Sequence, residues 1–200
     1  SFVITGIGTQ YSFEKVRHEG KAGYDVFYET DDNGNTIMDW ASGNPGFALT
    51  DVNAPRDTFP TLSSDKGYKD NCVRLVTRST GDFGSRLGMP IAAGNLFMGT
   101  FDILSAVTNA LKATKFGMPF EYVPTYLTGY YKYTTGAINQ MDKGSDKYDE
   151  LYPLLKDKDD TCIIWVALGD WDAPIDIITA KTSSKRKMFD PNDSHVIAYG

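Results

Sequence analysis

The chain has 200 residues, room for one large domain or two small ones, and 41% of them are hydrophobic, enough for a packed core. A formal net charge of −6 and an isoelectric point near 4.9 exclude a nucleic-acid footprint, which needs clustered Lys and Arg, and oppose docking on anionic lipid. No apolar run approaches the length of a membrane span, and two cysteines with two unclustered histidines do not make a zinc site.

Along the chain, Gly, Pro, Asn and Asp punctuate nearly every stretch, and 12 tyrosines and 11 phenylalanines favour strands. Ser1 runs straight into strand-like Phe2-Val3-Ile4, and residues 1–10, opening Ser1 to Gly6, are expected to be a junction with a preceding domain. Tyr24–Glu29 and Thr36–Trp40 read as strands joined by the hairpin turn Asp32-Asn33-Gly34-Asn35. The polar run Asp51–Asp70 reads as a long loop, and Asn71–Ser79 as a strand. Ile91–Met98 reads as a strand, and the small residues of Ile91–Phe101 suggest a bulge or a close backbone approach. Ile103–Lys112 places Leu104, Val107 and Leu111 at helical spacing. Phe120–Pro124 and Tyr126–Tyr133 are expected strands. Asp142–Asp160 reads as a second long loop, with a weaker helix over Lys147–Leu155 limited by Pro153. Thr161–Leu168, Ile175–Ala180 and Val196–Tyr199 complete the strands. Short strands at this spacing define an all-β antiparallel sandwich or barrel with one or two short helices in loops. Cys72 and Cys162 each sit in an apolar strand pattern and read as buried thiols, with a disulfide between neighbouring strands as the alternative.

Several segments are candidates for ligand contact. Trp40, beside the turn that holds Asn44, is either a platform for the apolar face of a sugar ring or a core residue closing a strand. In a strand, Tyr130 and Lys132 share one face and Tyr131 and Tyr133 the other, so an aromatic face bearing a lysine is available for stacking and hydrogen bonding, or else the rings pack and expose only their tips. Trp165 reads as core, whereas Trp171 and Asp172 lie in a polar loop open to a ligand. Ile91–Phe101 is glycine-rich but lacks the lysine and the strand-then-helix context of a phosphate loop. Asp157, Asp159 and Asp160 offer hard oxygens for a structural calcium ion, but Lys156 and Lys158 oppose a cation, and a solvated turn is the favoured reading, so no cofactor is expected. His18 and His195 have no nucleophile elbow to serve. Glycoside hydrolysis needs two facing carboxylates, and the 26 acidic residues do not single out a pair.

Phe13-Glu14, Trp40 through Phe47, Phe59-Pro60, Ile91 through Phe97 with Gly99, Phe116 through Phe120 and Gly129 through Tyr133 together resemble the putative carbohydrate metabolism domain family of outer-surface proteins of gut bacteria, over most of residues 11–168. The resemblance implies a jelly-roll β-sandwich over 11–200, similar to carbohydrate-binding modules and often preceded by a small immunoglobulin-like domain. It also implies a secreted or outer-membrane cell-surface location and a lipoprotein anchor outside this chain. Family members run past a Tyr-Gly like Tyr199-Gly200, so further closing strands are expected. The resemblance supplies no catalytic set. The leading expectation is therefore a non-catalytic carbohydrate-binding domain using Trp40, Asn44, Tyr130, Lys132, Trp171 and Asp172. A glycoside hydrolase and a protein-binding adhesion or scaffold domain are the alternatives.

Overall fold

The computed structural model describes residues 2–5, 9–68, 70–86, 88–109 and 112–200, with side chains from residue 11 onward except at 69, 87 and 107–111. Ser1, Gly6, Leu111 and the Val107 side chain, which enter the expectations above, lie outside them. In chain order the strands are β1 (Phe2–Thr5), β2 (Thr9–Tyr11), β3 (Val16–Glu19), β4 (Tyr24–Thr30), β5 (Thr36–Asp39), β6 (Thr61–Ser64), β7 (Cys72–Leu75), β8 (Arg78–Ser79), β9 (Ile91–Ala92), β10 (Gly99–Phe101), β11 (Thr114–Phe116), β12 (Tyr126–Gly129), β13 (Ala167–Gly169), β14 (Ile175–Ile177) and β15 (Val196–Tyr199). The helices are α1 (Asn44–Thr50), α2 (Gly81–Arg86), α3 (Ile103–Asn109) and α4 (Tyr148–Leu155).

The described strands all pair antiparallel, consistent with the all-β expectation. They form small sheets of two or three strands, ordered β12-β1-β2, β3-β4-β5, β6-β7, β8-β9, β10-β11-β14 and β13-β15. The β4–β5 hairpin forms where the turn sequence places it. The Asp31 carboxylate accepts the Asn33 and Asn35 N–H groups at 2.9 and 2.8 Å, and Gly34 takes a φ of 85° that other residues resist.

Several elements differ from the sequence reading. Asn44–Thr50 is a helix, not a turn, because Pro45 occupies its first turn, where proline's fixed φ suits helix entry and its missing N–H costs nothing. The run 51–70 contains β6, and 71–79 divides into β7 and β8. No strand forms over 120–124 or 161–166, and β12 stops at Gly129. Cys162 is accordingly exposed, Cys72 is half-buried on β7, and both thiols are free. In the Ile91–Met98 segment, a Cβ at Gly94 would lie 2.4 Å from the Val76 nitrogen and 2.6 Å from the Pro60 carbonyl oxygen. The close backbone approach read from the sequence is present.

The core is small and aromatic. Tyr24, Phe47, Ala54, Phe59 and Leu62 form one buried cluster, with the Phe47 and Phe59 rings edge to face at 5.2 Å. Beside it runs a buried polar network. Asp25, Phe27 and Glu29 point to one face of β4, and all are buried. The Asp25 carboxylate accepts the Ser63 N–H at 2.6 Å, the Ser63 hydroxyl at 2.8 Å and the Arg56 guanidinium at 2.7 Å, with His18 Nδ1 at 3.0 Å.

Burial pushes the Asp25 carboxyl upward, but Arg56 and the two Ser63 donors outweigh it and hold the group below its ordinary value. A carboxyl depressed in the folded state stabilises the protein fully above the unfolded pKa of about 4, and that stability is lost as pH falls through the folded value. Asp25→Asn should therefore lower stability at neutral pH and flatten the acid limb of the stability profile. Because the Arg56 side chain is 46% exposed and rehydrates when released, the loss should be about 2–3 kcal/mol, at or below the foot of the buried-pair range. Urea unfolding as a function of pH checks this. An unaltered acid limb in the variant would assign the effect to other carboxylates.

Candidate functional site

An open groove of about 310 Å³ lies where α4 faces α2 and the 139–143 loop. The sequence builds it in steps. Asp142 Oδ1 accepts the Gly144 N–H at 2.9 Å, and the Asp142 carbonyl accepts the Ser145 N–H at 3.0 Å. This turn leads into α4, where Asp149 and Glu150 in the first turn complement the helix dipole. Tyr148 and Tyr152, four residues apart, share a helix face and stack at 5.0 Å with an 18° tilt. The Tyr152 hydroxyl donates to the Asn139 carbonyl at 3.1 Å, pinning the loop to the helix. Ser79 of β8, Ser85 of α2 and Pro90 form the opposite wall.

Asn139, Gln140 and Lys143 line the same groove and are exposed. Among the described residues, neither side-chain amide has an internal hydrogen-bond partner. Met141 also lines a second hollow, of about 230 Å³, together with Asp142, Lys181 and Arg186. Here Arg186 is fixed by the Ala180 and Lys181 carbonyls, both at 2.7 Å. Asp146 pairs with Arg186 at 3.1 Å, and the Ser183 N–H and hydroxyl hold the Asp146 carboxyl below its ordinary value. Tyrosine rings, free amides and hydroxyls around a concavity can stack on and hydrogen-bond a polyhydroxylated ligand. Among the described lining residues Asp142 is the one carboxylate.

The residues chosen from sequence lie on three separate segments, and no hydrogen bond or ring contact joins one pair to another among the described residues. Trp40 is half-buried. Its indole N–H donates to Glu29 at 3.1 Å, and its ring packs against Tyr11 and Phe13 at 5.5 and 5.2 Å. Asn44 is fully buried. Its amide donates to the Thr61 and Asp25 carbonyls at 2.7 and 3.1 Å and accepts the Thr61 N–H at 3.1 Å. It serves the fold, and a sugar cannot reach it in this state. Tyr130 is 61% exposed and stacks on Tyr68 at 3.9 Å, where the hydrogen bond between them raises the Tyr68 pKa. Tyr131 and Lys132 next to it are exposed. Trp171 is half-buried, edge-on to Phe189 at 6.2 Å and near His195, whose Nδ1 lies 3.0 Å from Asp170. Asp172 is exposed. Among the described residues no group of three or more metal-ligating side chains converges, and Asp157, Asp159 and Asp160 lie on an exposed turn.

Sequence reasoning passed over Asn139, Gln140, Lys143, Tyr148 and Tyr152. The Tyr-x-x-x-Tyr spacing inside the expected helix was the available sign.

The chain belongs to the family described as Putative carbohydrate metabolism domain, which matches residues 12–200. One similar solved structure is described as a putative glycoside hydrolase from Bacteroides thetaiotaomicron. It is 52% identical, with a TM-score of 0.59 over 66% of this chain and 38% of that one. Another, described in the same words and from Bacteroides vulgatus, is 49% identical, with a TM-score of 0.51 over 55% of this chain and 44% of that one. The chain therefore spans less than half the length of either relative. No curated protein matches it. The domain is thus one related to carbohydrate metabolism.

Replacing Asn44 with Ala would strand the Thr61 N–H and two buried carbonyls, and should cost about 2–4 kcal/mol of stability. Chemical denaturation measures this directly. A loss under about 1 kcal/mol would show that water replaces the amide.

Proposed function

We propose that this domain binds carbohydrate without cleaving it, with the saccharide lying in the groove between α4 and α2. The observation that carries this reading is the groove's lining of Tyr148 and Tyr152 rings, unengaged Asn139 and Gln140 amides and serine hydroxyls, with no carboxylate among its described lining residues. Glycosidases of the usual kind work with two carboxyls set roughly 5–10 Å apart. The Tyr68–Tyr130 stack with Lys132 offers a flat secondary contact for a longer glycan, and Trp171 with Asp172 offers another. Antiparallel pairing throughout and family membership support placing these sheets in a jelly-roll sandwich, and the family's character supports a secreted or outer-membrane cell-surface location with any lipid anchor outside this chain. The description of the two solved relatives as glycoside hydrolases favours hydrolysis as the second reading.

Titration calorimetry against a polysaccharide panel, with reducing-end release followed in parallel, separates the two readings. Binding without release is expected. Gln140→Ala breaks no described internal bond and should weaken binding roughly three- to tenfold with the fold intact, while Tyr152→Ala should weaken it by roughly tenfold or more. Release of reducing ends by the purified domain would replace binding with catalysis. Failure of every glycan to bind would remove both readings.

A further inference from the structure

The charge on the groove differs in sign from the charge on the chain. The protein has 26 acidic against 20 basic residues, yet the two hollows that share Met141 are lined by Lys143, Lys181 and Arg186 against Asp142 alone among the described residues. Arg186 is neutralised by Asp146 at 3.1 Å and locked by backbone carbonyls. It stabilises the wall and leaves little charge for a ligand. Lys181 differs. Its ammonium lies 3.3 Å from Asp142, and its side chain is 40% exposed. A solvent-facing pair of that kind is weakly bound and exchangeable. Lys143 has no ion-pair partner among the described residues and is exposed on the groove's edge.

Lys143 thus lines the first hollow and Lys181 the second, with Met141 common to both linings. A neutral glycan needs only dipoles, which the amides and hydroxyls supply. Paired cations along a groove otherwise short of carboxylates match a ligand that carries repeated negative charge. Resting on the carbohydrate-binding reading above, we infer that the saccharide taken by this groove is anionic, bearing ring carboxylates or sulfate esters that pair with Lys143 and Lys181.

Three tetrasaccharides test this against the intact chain: galacturonate, sulfated galactan and neutral galactan. Calorimetry at low and high salt should show one or both anionic tetramers binding more tightly than the neutral one, with the preference shrinking as salt rises. Whichever anionic tetramer binds distinguishes carboxylate from sulfate. Lys143→Gln should weaken the anionic tetramer by roughly tenfold and shrink its salt dependence. Lys158→Gln, on the exposed turn, should have no effect. Equal or tighter binding of the neutral tetramer, or an anionic affinity indifferent to both Lys143→Gln and salt, overturns the charge inference and leaves the groove reading standing. Absence of binding by all three overturns both.

Discussion

The buried amide of Asn44 is the contact on which the arrangement of the amino-terminal half depends. It bridges the Asp25 carbonyl of β4 and both backbone groups of Thr61 on β6, from its own place at the start of α1. Three elements separated in sequence thus share one planar group. Apolar burial alone does not set such a register, because it is non-directional. The Asp25 carboxylate repeats the arrangement two residues along β6, reaching Ser63 as well as Arg56. Beside the apolar cluster of Tyr24, Phe47, Ala54, Phe59 and Leu62, this network supplies directional specificity that apolar packing does not. The same low dielectric that strengthens each bond makes any unmade one costly.

The consequences extend toward the groove. Thr61 begins β6, and its hydroxyl donates to the Asn95 carbonyl at 2.8 Å, while the Asn95 side chain accepts the Gly43 N–H at 2.7 Å. The segment after β9 is thereby tied to α1. The Val76 N–H donates to the Pro60 carbonyl at 2.8 Å, placing the β7–β8 strand beside the same point, where Gly94 leaves no room for a Cβ. From there β8 pairs with β9, and Ser79 and Ser85 become the wall opposite α4. The groove wall inherits its position from a clamp several elements away.

This also explains what was legible in the sequence. The β4–β5 hairpin was, because Asp-Asn-Gly-Asn forces a turn whatever surrounds it, and the close approach at Gly94 was, because small residues mark it. The α1 helix was not, since Gly-Asn-Pro-Gly suits a turn equally well until Pro45 is recognised as a helix opener. The short strand β6 was hidden because Thr61 is buried for its hydrogen bonds, not for its hydrophobicity. The apolar run from Cys162 to Val166 misled in the opposite direction. Hydrophobicity favours a strand only where a partner exists, and here β15 pairs with Ala167–Gly169 while Ile163 stays 79% exposed. The site suffered the same ambiguity. Trp40 and Asn44 have the chemistry that sugars require, but Glu29 and Thr61 engage that chemistry inside the chain. Tyr148 and Tyr152 were legible as helix neighbours, whereas their opposition to Ser79 and Ser85 is a tertiary fact.

On the proposed reading, shape decides whether the groove or the Tyr68–Tyr130 stack dominates recognition. The Tyr68–Tyr130 stack is open, so a sugar laid on it buries one face and leaves its hydroxyls hydrated, with Lys132 as the nearby donor. The groove is concave, with the tyrosines of α4 on one wall, the serines opposite, and Asn139 and Gln140 in its lining. A concave site removes more ligand surface from water for the same loss of motion. On the proposed reading, the groove suits selection among saccharides, and the exposed tyrosines suit extending the grip along a chain already chosen.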